Sequence, residues 1–284
     1  MTATKKRRNP FFAALLSLLA PGLGQIYNGQ GALGIVFFLI SLSLPFLGGA
    51  SGGPRRFAGL VALGLAAVVF SLFIIIHAFV RARRIKDIEL KKYQTPAVYA
   101  FLVVLSLGLS ILVPTRTWMG FMGVSPYKIA TGAMEPALHQ GDLLMTDPKA
   151  YHDRAPRRGD LVVFQDPRDA TKAYVKRVIG LEGDRVEIRD KQVFLNGEPI
   201  AEPTKVHLDS RVYAKDDTRP SVDSVRDNFG PLEIPAGHCF VLGDNRDNSL
   251  DSRHWGALPV ANIKGRALYV YWAKDKKRIG LTPK

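Results

Sequence analysis

The stretch Ala173–Ile188, with the sequence AYVKRVIGLEGDRVEI, indicates two β-strands joined by a turn. Its two arms are rich in Val, Ile and Tyr, residue types that are typical of strands. The tripeptide EGD at 182–184 separates the arms, and Gly and Asp are residues that tight turns prefer. A second turn signal, Asn196-Gly197, follows shortly afterwards. Short strands joined by such turns predict an antiparallel sheet.

The same pattern extends across the C-terminal part of the chain. Short segments rich in Val, Ile, Leu, Tyr and Phe, bounded by Gly, Asp, Asn or Pro, occur at Asp142–Thr146, Asp160–Gln165, Ala173–Gly180, Arg185–Arg189, Gln192–Asn196, His238–Leu242 and Arg266–Trp272. No long amphipathic helix interrupts them, so residues 119–284 are predicted to form a mainly antiparallel all-β domain. The segment 202–228 is polar and lacks periodicity, which predicts an inserted loop or small subdomain.

Residues 1–118 are instead dominated by Leu, Ile, Val, Phe, Ala and Gly and predict a membrane domain. Four apolar segments can be drawn: Pro10–Asn28, Leu33–Leu47, Phe57–Val80 and Pro96–Val113. A membrane-spanning helix needs about 20 apolar residues, a length that the third and fourth segments satisfy and that the second satisfies if slightly extended. The first is short and is broken by proline and glycine at 21–22. We expect about three transmembrane helices plus an N-terminal re-entrant or interfacial hairpin.

Much of the formal net charge of +14 lies beside these apolar segments. Residues 5–8 are KKRR, and the loop Arg81–Lys92 is also strongly basic. Basic residues beside membrane spans mark the cytoplasmic side. This loop is therefore expected in the cytoplasm and the β-rich domain on the extracytoplasmic face. The placement of the charge favours membrane lipid, and not nucleic acid, as the partner of the basic residues.

The sequence predicts no metal site and no cofactor. Its histidines are scattered, and no CxxC pair occurs. The single cysteine, Cys239, stands in the apolar run HCFVLG and predicts a buried, inert thiol.

Lys176 occupies an unusual place in its predicted strand. Alternate side chains of a strand share a face, so Lys176 lies with Tyr174 and Val178 on the apolar side, away from the polar Arg177. A lone lysine of this kind is ordinarily an edge residue whose amine reaches water. The functional alternative is a desolvated amine, whose pKa burial lowers by up to about 3–5 units and which can then act as a base.

A long polar run follows a predicted strand in GHCFVLGDNRDNSLDSRHWG, residues 237–256. A turn rich in Asp, Asn and Ser explains some of these residues but not so long a run. Asp251 and Arg253 can form an ion pair that fixes the loop. Ser249 can exchange a hydrogen bond with a neutral Lys176 and orient it.

Three ordered stretches resemble the boxes of type I signal peptidases, the membrane-bound serine proteases that remove signal peptides. They are TGAMEPALHQGDLLM at 131–145, YVKRVIGLEGD at 174–184 and GDNRDNSLDSR at 243–253. The family pattern in the first box is close to Ser-Gly-Ser-Met-x-Pro-Thr-Leu, and the resemblance spans residues 125–272. It implies a Ser/Lys dyad on a β-rich extracytoplasmic domain.

The resemblance also implies a role for each matching residue. The nucleophilic serine falls at Ala133 and the general base at Lys176. The Thr131 hydroxyl and the backbone N–H of residue 133 are expected to form the oxyanion hole. No metal or histidine takes part in this chemistry.

Further residues are expected to support that site. Ser249 is expected to hold the lysine, and Asp251 with Arg253 to shape the pocket. Asp244 and Met134 stand in the last and first boxes and are expected to support it. A bound signal peptide is expected to add an extra strand to the sheet.

Ala133 is the departure from the family pattern. Its side chain cannot attack a carbonyl, so the chain as it stands is expected to be inactive. Because the costly lysine and its surroundings are kept, an inactivated enzyme or substrate-trapping variant is favoured over a naturally non-catalytic homologue that binds signal peptides or regulates a partner. A LexA-like self-cleaving protease is disfavoured by the apolar segments and the last box.

The resemblance implies a location as well. It places the protein in a bacterial inner (cytoplasmic) membrane, with the signal peptides of secreted preproteins as partners. The protein export machinery is a further possible partner.

Overall fold

The computed structural model describes residues 5–86, 88–91, 93–112, 115–166, 169–215 and 223–283. The chain divides into two compact units, Met1–Gly123 and Val124–Lys284. The predicted division at 118/119 falls inside the last helix of the first unit, Thr115–Phe121. Three parts of the sequence-based predictions lie outside the described residues: residues 87 and 92 of the basic loop, Val113, and residues 216–222 of the polar segment.

The first unit is helical. In chain order its elements are the strand β1 (Lys5–Lys6), the helices α1 (Pro10–Leu19), α2 (Leu23–Tyr27), α3 (Gly31–Ser51) and α4 (Phe57–Arg84), the strand β2 (Ile88–Glu89), and the helices α5 (Pro96–Leu112) and α6 (Thr115–Phe121). Among the described residues, α3 and α4 are long and apolar enough to cross a membrane, by length and composition. Helix α5 has 17 residues, and the expected number of crossings stays a prediction.

The break at Pro21-Gly22 separates α1 from α2, as its sequence predicts. Gly22 adopts a φ of 85°, a left-handed conformation that glycine tolerates without strain. Gly24 has no room for a side chain, because an added Cβ would collide with the Ala13 carbonyl oxygen and lie 2.9 Å from the Ala78 side chain. The glycines of the APGLGQIYNGQ segment therefore allow α2 to pack closely against α1 and α4.

Two buried amides attach this hairpin to α4. Gln25 Nε2 donates to the Ile74 carbonyl at 2.8 Å, and Asn28 Nδ2 donates to the Ala78 carbonyl at 2.8 Å. Buried polar groups need such partners to offset their loss of water. The polar residues of the turn thus fix its position against the longest apolar helix.

The second unit is built from antiparallel strands. They are β3 (Ser125–Lys128), β4 (Leu143–Asp147), β5 (Leu161–Asp166), β6 (Asp169–Leu181), β7 (Arg185–Arg189), β8 (Gln192–Leu195), β9 (Glu198–Pro199), β10 (Phe229–Glu233), β11 (His238–Leu242), β12 (Leu258–Pro259) and β13 (Ile263–Trp272), with one short helix, α7 (Ser252–Trp255). The strand order is β12-β11-β6-β5-β13-β4-β3 in one sheet and β10-β7-β8-β9 in the other. All seven strands expected from the sequence are present, so the antiparallel all-β prediction is confirmed.

The seven-stranded sheet packs apolar side chains on both faces. Alternate residues of β5 join different clusters: Leu161 and Val163 pack with Leu144 and Met134, whereas Val162 packs with Val178. The fully buried Cys239 belongs to the second cluster, and burial raises the pKa of its thiol to about 12, as expected for an inert residue. A sheet buried on both faces can keep a polar side chain away from water.

The polar segment predicted at 202–228 contains no regular strand in its described residues, in agreement with its composition. It is nevertheless attached to the last box. Val206 N donates to the Asp244 carbonyl at 2.8 Å, and Arg246 N donates to the Val206 carbonyl at 3.0 Å. A buried ion pair joins Arg246 to Glu202. The sequence predicted an insertion but gave no indication that it buttresses the GDNRDNSLDSR turn.

Candidate active site

The first box forms a compact series of turns between β3 and β4. Glu135 N donates to the Gly132 carbonyl at 3.1 Å, and Leu138 N donates to the Met134 carbonyl at 2.9 Å. Met134 and Leu138 are buried in the apolar cluster that includes β5, so they anchor the loop. Met134 therefore supports the loop through packing.

Ala133 lies in this turn with 7% of its surface exposed, whereas Thr131 is exposed. Among the described residues, no acceptor takes a hydrogen bond from the Ala133 N–H. A free backbone N–H in a turn is the type of donor from which oxyanion holes are built.

Asn245 ties the first box to the last. Its backbone N–H donates to the Ala133 carbonyl at 3.2 Å, and its side-chain Nδ2 donates to the Gly132 carbonyl at 3.2 Å. Both bonds point at the two residues that precede Met134, so they set the path of the chain at position 133. Asn245 belongs to the polar run at 237–256, and nothing in its sequence context indicates this role.

Gly243 brings positions 133 and 249 together. A Cβ built on Gly243 would lie 2.5 Å from the Ala133 carbonyl oxygen and 2.6 Å from Ser249 Cβ, and closer still to Ser249 Oγ. The backbone just after β11 therefore approaches both residues at a distance that only glycine allows. This close contact explains why the last box, which begins with GDN, has glycine at its first position.

Lys176 is 2% exposed and pairs with Val162 across the β5–β6 ladder. It lies on the face that includes Val178, as strand alternation predicts. Burial lowers the pKa of its ammonium from 10.5 to about 8. The carboxylates of Asp251 and Asp244 oppose this shift, and the guanidinium of Arg253 reinforces it. The side chain therefore corresponds to the desolvated alternative and not to an edge lysine whose amine reaches water.

Asp251 and Arg253 form the ion pair expected from the sequence, and both are buried. Arg253 Nε donates to Asp251 Oδ1 at 2.8 Å, and Nη2 donates to Oδ2 at 2.9 Å, a bidentate geometry. Burial opposes ionisation of Asp251, but Arg253 and Lys176 hold the pKa of its carboxyl below the usual range. Asp251 Oδ2 also accepts from Gly243 N at 3.0 Å, which couples the pair to the contact at position 133.

Ser249 differs from its prediction in one respect. Its Oγ is buried and acts on the Asp251 carboxylate, and the expected hydrogen bond with Lys176 is not formed among the described residues. The hydroxyl instead faces Gly243. The sequence placed Ser249 in the right neighbourhood but could not fix its rotamer.

Asp244 has a partner that the sequence analysis missed. Arg177 Nε donates to Asp244 Oδ1 at 2.7 Å and Nη2 donates to Oδ2 at 2.6 Å. Arg177 was placed on the polar side of the strand, but it is 9% exposed and belongs to a buried bidentate ion pair. The signal was present: a KR pair in a strand buried on both faces puts one cation on each face.

These contacts gather the three boxes around Gly243. Gly243 meets Ala133 and Ser249, and its N–H binds Asp251, whose carboxylate acts electrostatically on Lys176. The arrangement holds an amine of lowered pKa and a free backbone N–H. It lacks a side-chain oxygen at position 133.

Comparison with known proteins shows the family of this chain. The family model described as signal peptidase, peptidase S26 matches residues 99–272. Signal peptidase I of Pseudomonas fluorescens is 32% identical over 202 residues, which cover 56% of this chain and 69% of that protein. Signal peptidase I of Leptolyngbya laminosa is 36% identical over 182 residues, covering 61% and 76%.

A solved structure of a signal peptidase I from Enterococcus faecalis is 34% identical, with a TM-score of 0.31, and covers 40% of this chain and 97% of that chain. The sequence matches carry the assignment. Since the family model matches more than half of the chain, and since the chain covers more than two thirds of relatives that are over 30% identical, the chain belongs to the signal peptidase family, peptidase S26.

Proposed function

We propose that this chain is a membrane-bound signal peptidase of the Ser/Lys type whose nucleophile position carries alanine, so that it binds signal peptides without cutting them. The observation that carries the proposal is Lys176, a buried amine whose pKa burial lowers to about 8 and on which Asp251, Arg253 and Asp244 of the last box act electrostatically. A buried lysine costs stability, and its retention is understandable where it serves as a base.

With serine at position 133, the chemistry would follow from the groups in place. The neutral amine of Lys176 would take the hydroxyl proton, and the oxygen would attack the scissile carbonyl of the signal peptide. The ammonium so formed would then protonate the leaving amine. Water, activated by the same amine, would release the acyl group and return the lysine to its neutral form.

The developing oxyanion would be met by the N–H of residue 133 and the Thr131 hydroxyl. The free state of the Ala133 N–H supports the first donor, and the exposure of Thr131 supports the second. Donors already oriented toward the developing charge lower the barrier without reorganisation. The ion pairs of Asp251 with Arg253 and of Asp244 with Arg177 would hold the loop behind these donors.

Membrane attachment is part of the proposal. Helices α3 and α4 supply length and apolar character, and the basic end of α4 favours a cytoplasmic position for the loop after Arg84. The β-rich unit would then act outside a bacterial inner membrane, where secreted preproteins emerge. Signal peptides would be its partners, with the export machinery nearby.

The test restores the missing oxygen. The Ala133→Ser variant should cleave a purified preprotein at the end of its signal peptide, and the double variant Ala133→Ser, Lys176→Ala should not, although both fold. Absence of cleavage by the folded Ala133→Ser variant would reject the Ser/Lys assignment.

The alternative, a naturally non-catalytic homologue that captures signal peptides, is favoured by Ala133 itself. Sequencing the source locus separates the two. A serine codon at position 133 supports inactivation of an enzyme, whereas an alanine codon supports the natural homologue.

A further inference from the structure

The first unit contains a cavity of about 480 Å³ that the peptidase chemistry does not use. It lies among the start of α1, the turn at Tyr27, the segment before α5 and the first turns of α5. Its lining combines two arginines with apolar and aromatic side chains: Arg7, Arg8, Phe12, Leu16, Tyr27, Leu90, Gln94, Pro96, Tyr99, Ala100 and Val103. Among these lining residues none is acidic.

Arg8 is the unusual member of this lining. It is 6% exposed, and its Nε and Nη2 atoms are buried without a hydrogen-bond partner among the described residues. Its guanidinium carbon lies 4.2 Å from the centroid of the Tyr27 ring. A cation–π contact supplies part of the lost solvation, but a buried guanidinium ordinarily has an anionic partner as well.

The wall around Arg8 is held in place before any ligand arrives. Gln94 Nε2 donates to the Ile26 and Tyr27 carbonyls, each at 2.9 Å. Tyr27 stacks edge-on against Tyr99 with ring centroids 5.7 Å apart. The Tyr99 hydroxyl is buried and, like Arg8, has no hydrogen-bond partner among the described residues. The Arg8 guanidinium and the Tyr99 hydroxyl thus lie within reach of each other in a preformed pocket, with no anionic partner among the described residues.

Among the described residues of the unit, no acidic side chain bonds to the Nε or Nη2 atoms of Arg8. Residues 1–123 contain two acidic side chains, Asp87 and Glu89. Glu89 lies opposite Lys5 in the β1–β2 pair, and the structure does not describe Asp87. A ligand that carries a negative charge and fits walls formed by Phe12, Leu16 and Val103 would therefore complement this lining.

We propose that this cavity binds one anionic phospholipid, with its phosphate on the Arg8 guanidinium and the Tyr99 hydroxyl and its first acyl carbons against Phe12, Leu16 and Val103. Arginine pairs with phosphate through parallel hydrogen bonds, and basic pockets between membrane helices suit anionic head groups. Arg7, which is exposed at the rim, adds attraction for the same charge. The inference rests on the proposed membrane location but not on catalysis.

The test uses the full chain in nanodiscs of phosphatidylcholine that contain phosphatidylglycerol as the anionic lipid. Native mass spectrometry counts the lipids that stay bound after release from the disc. The unaltered chain should retain phosphatidylglycerol over phosphatidylcholine by about tenfold, a ratio that corresponds to one charge-assisted contact. Arg8→Gln should lose this preference. Arg83→Gln, which removes an exposed cation of the α4 end that does not line the cavity, should keep it.

A more conservative variant tests the same site with less risk of unfolding the chain. Tyr99→Phe removes only the hydroxyl and should lower retention roughly threefold, in line with the loss of one hydrogen bond. Equal retention of the two lipids by the unaltered chain, equal loss in the Arg8 and Arg83 variants, or full retention by Tyr99→Phe would each overturn the proposal. So would displacement of the lipid by millimolar inorganic phosphate, since the site would then take free phosphate. Failure to enter the discs would contradict the membrane location instead.

Discussion

The backbone N–H of Asn245 donates to the carbonyl oxygen of Ala133 at 3.2 Å and joins two boxes that lie far apart in the sequence. The Asn245 side chain adds a second bond, to the Gly132 carbonyl. The position of residue 133 is therefore set from the last box, across the sheet, as well as by its own loop. A site of this kind depends on the geometry of residues that do no chemistry themselves.

The first prediction concerns that connection. In the Ala133→Ser background, Asn245→Ala should keep the backbone bond and lose the one to Gly132. Small misplacements of a nucleophile are costly, so kcat/KM for preprotein cleavage should fall by roughly tenfold to a hundredfold. Asn262→Ala, at a partly exposed asparagine between β12 and β13, is the matched control and should change kcat/KM little. Equal kinetics for the two variants would show that the Gly132 bond is unimportant.

A second prediction tests the close approach at Gly243. Gly243→Ala places a methyl group 2.5 Å from the Ala133 carbonyl oxygen, so the first box must move. Restored activity should fall by about a hundredfold, and the free energy of unfolding by roughly 1–3 kcal/mol.

Gly197→Ala is the control that adds backbone strain without displacing the first box. Gly197, in the turn between β8 and β9, has a φ of 91° and open space around its Cα, so alanine there strains the backbone by about 1 kcal/mol without contacting the site. Its activity should survive. If both glycine variants lose stability alike and keep activity alike, Gly243 does not position residue 133.

The third prediction is a pH profile. Lys176 must be neutral to accept a proton, and the pKa of its amine is lowered to about 8. In the Ala133→Ser variant, kcat/KM should therefore rise with pH and reach half of its plateau near pH 8. Measurement with a preprotein that has no titrating group beside its cleavage site isolates the enzyme's own ionisation. A flat profile from about pH 6 to 10 would exclude Lys176 as the base.

The same ionisation predicts a dependence of stability on pH. The pKa of Lys176 is about 8 in the folded chain and 10.5 when unperturbed, so between these values the unfolded chain binds more protons. The free energy of unfolding should rise with pH across that window, by roughly 3 kcal/mol in total. Below pH 8 the destabilisation caused by burying the charged lysine should be fully present. Urea unfolding of the full chain in detergent, followed by tryptophan fluorescence, measures this slope.

Lys176→Met is the control for that slope. Its side chain has similar length and no charge, so the rise between about pH 8 and 10.5 should disappear and stability near neutral pH should increase. An unchanged slope in this variant would mean that another group causes the pH dependence.

Much of the β-rich unit was predictable because its strands obey simple alternation. The stretch Ala173–Ile188 gave two strands and a turn, and both are present within β6 and β7. Strands β3 and β10 were missed because each contains proline, and proline weakens a strand signal. They form because their neighbours β4 and β7 offer hydrogen bonds that the sequence does not show.

Site residues could be predicted from the sequence where a residue type is unusual for its position in a strand or loop. A lysine on the apolar face of a strand indicated Lys176, and a dense polar run indicated the ion pair of Asp251 and Arg253. The Arg177–Asp244 pair was missed because nothing local connects a strand cation to an aspartate 67 residues later. The rotamer of a side chain such as Ser249 depends on packing against its neighbours, so the order of residue types along the sequence does not predict it.

The central claim is that a single side-chain oxygen at position 133 separates binding from cleavage. One preprotein, labelled at its signal peptide, is incubated with the unaltered chain and with the Ala133→Ser variant, and both the bound fraction and the cleaved fraction are measured. The account predicts similar affinity for both and cleavage only by the variant, with product ending at the signal-peptide boundary. Binding without cleavage by the folded Ala133→Ser variant, or cleavage by the unaltered chain, would contradict it.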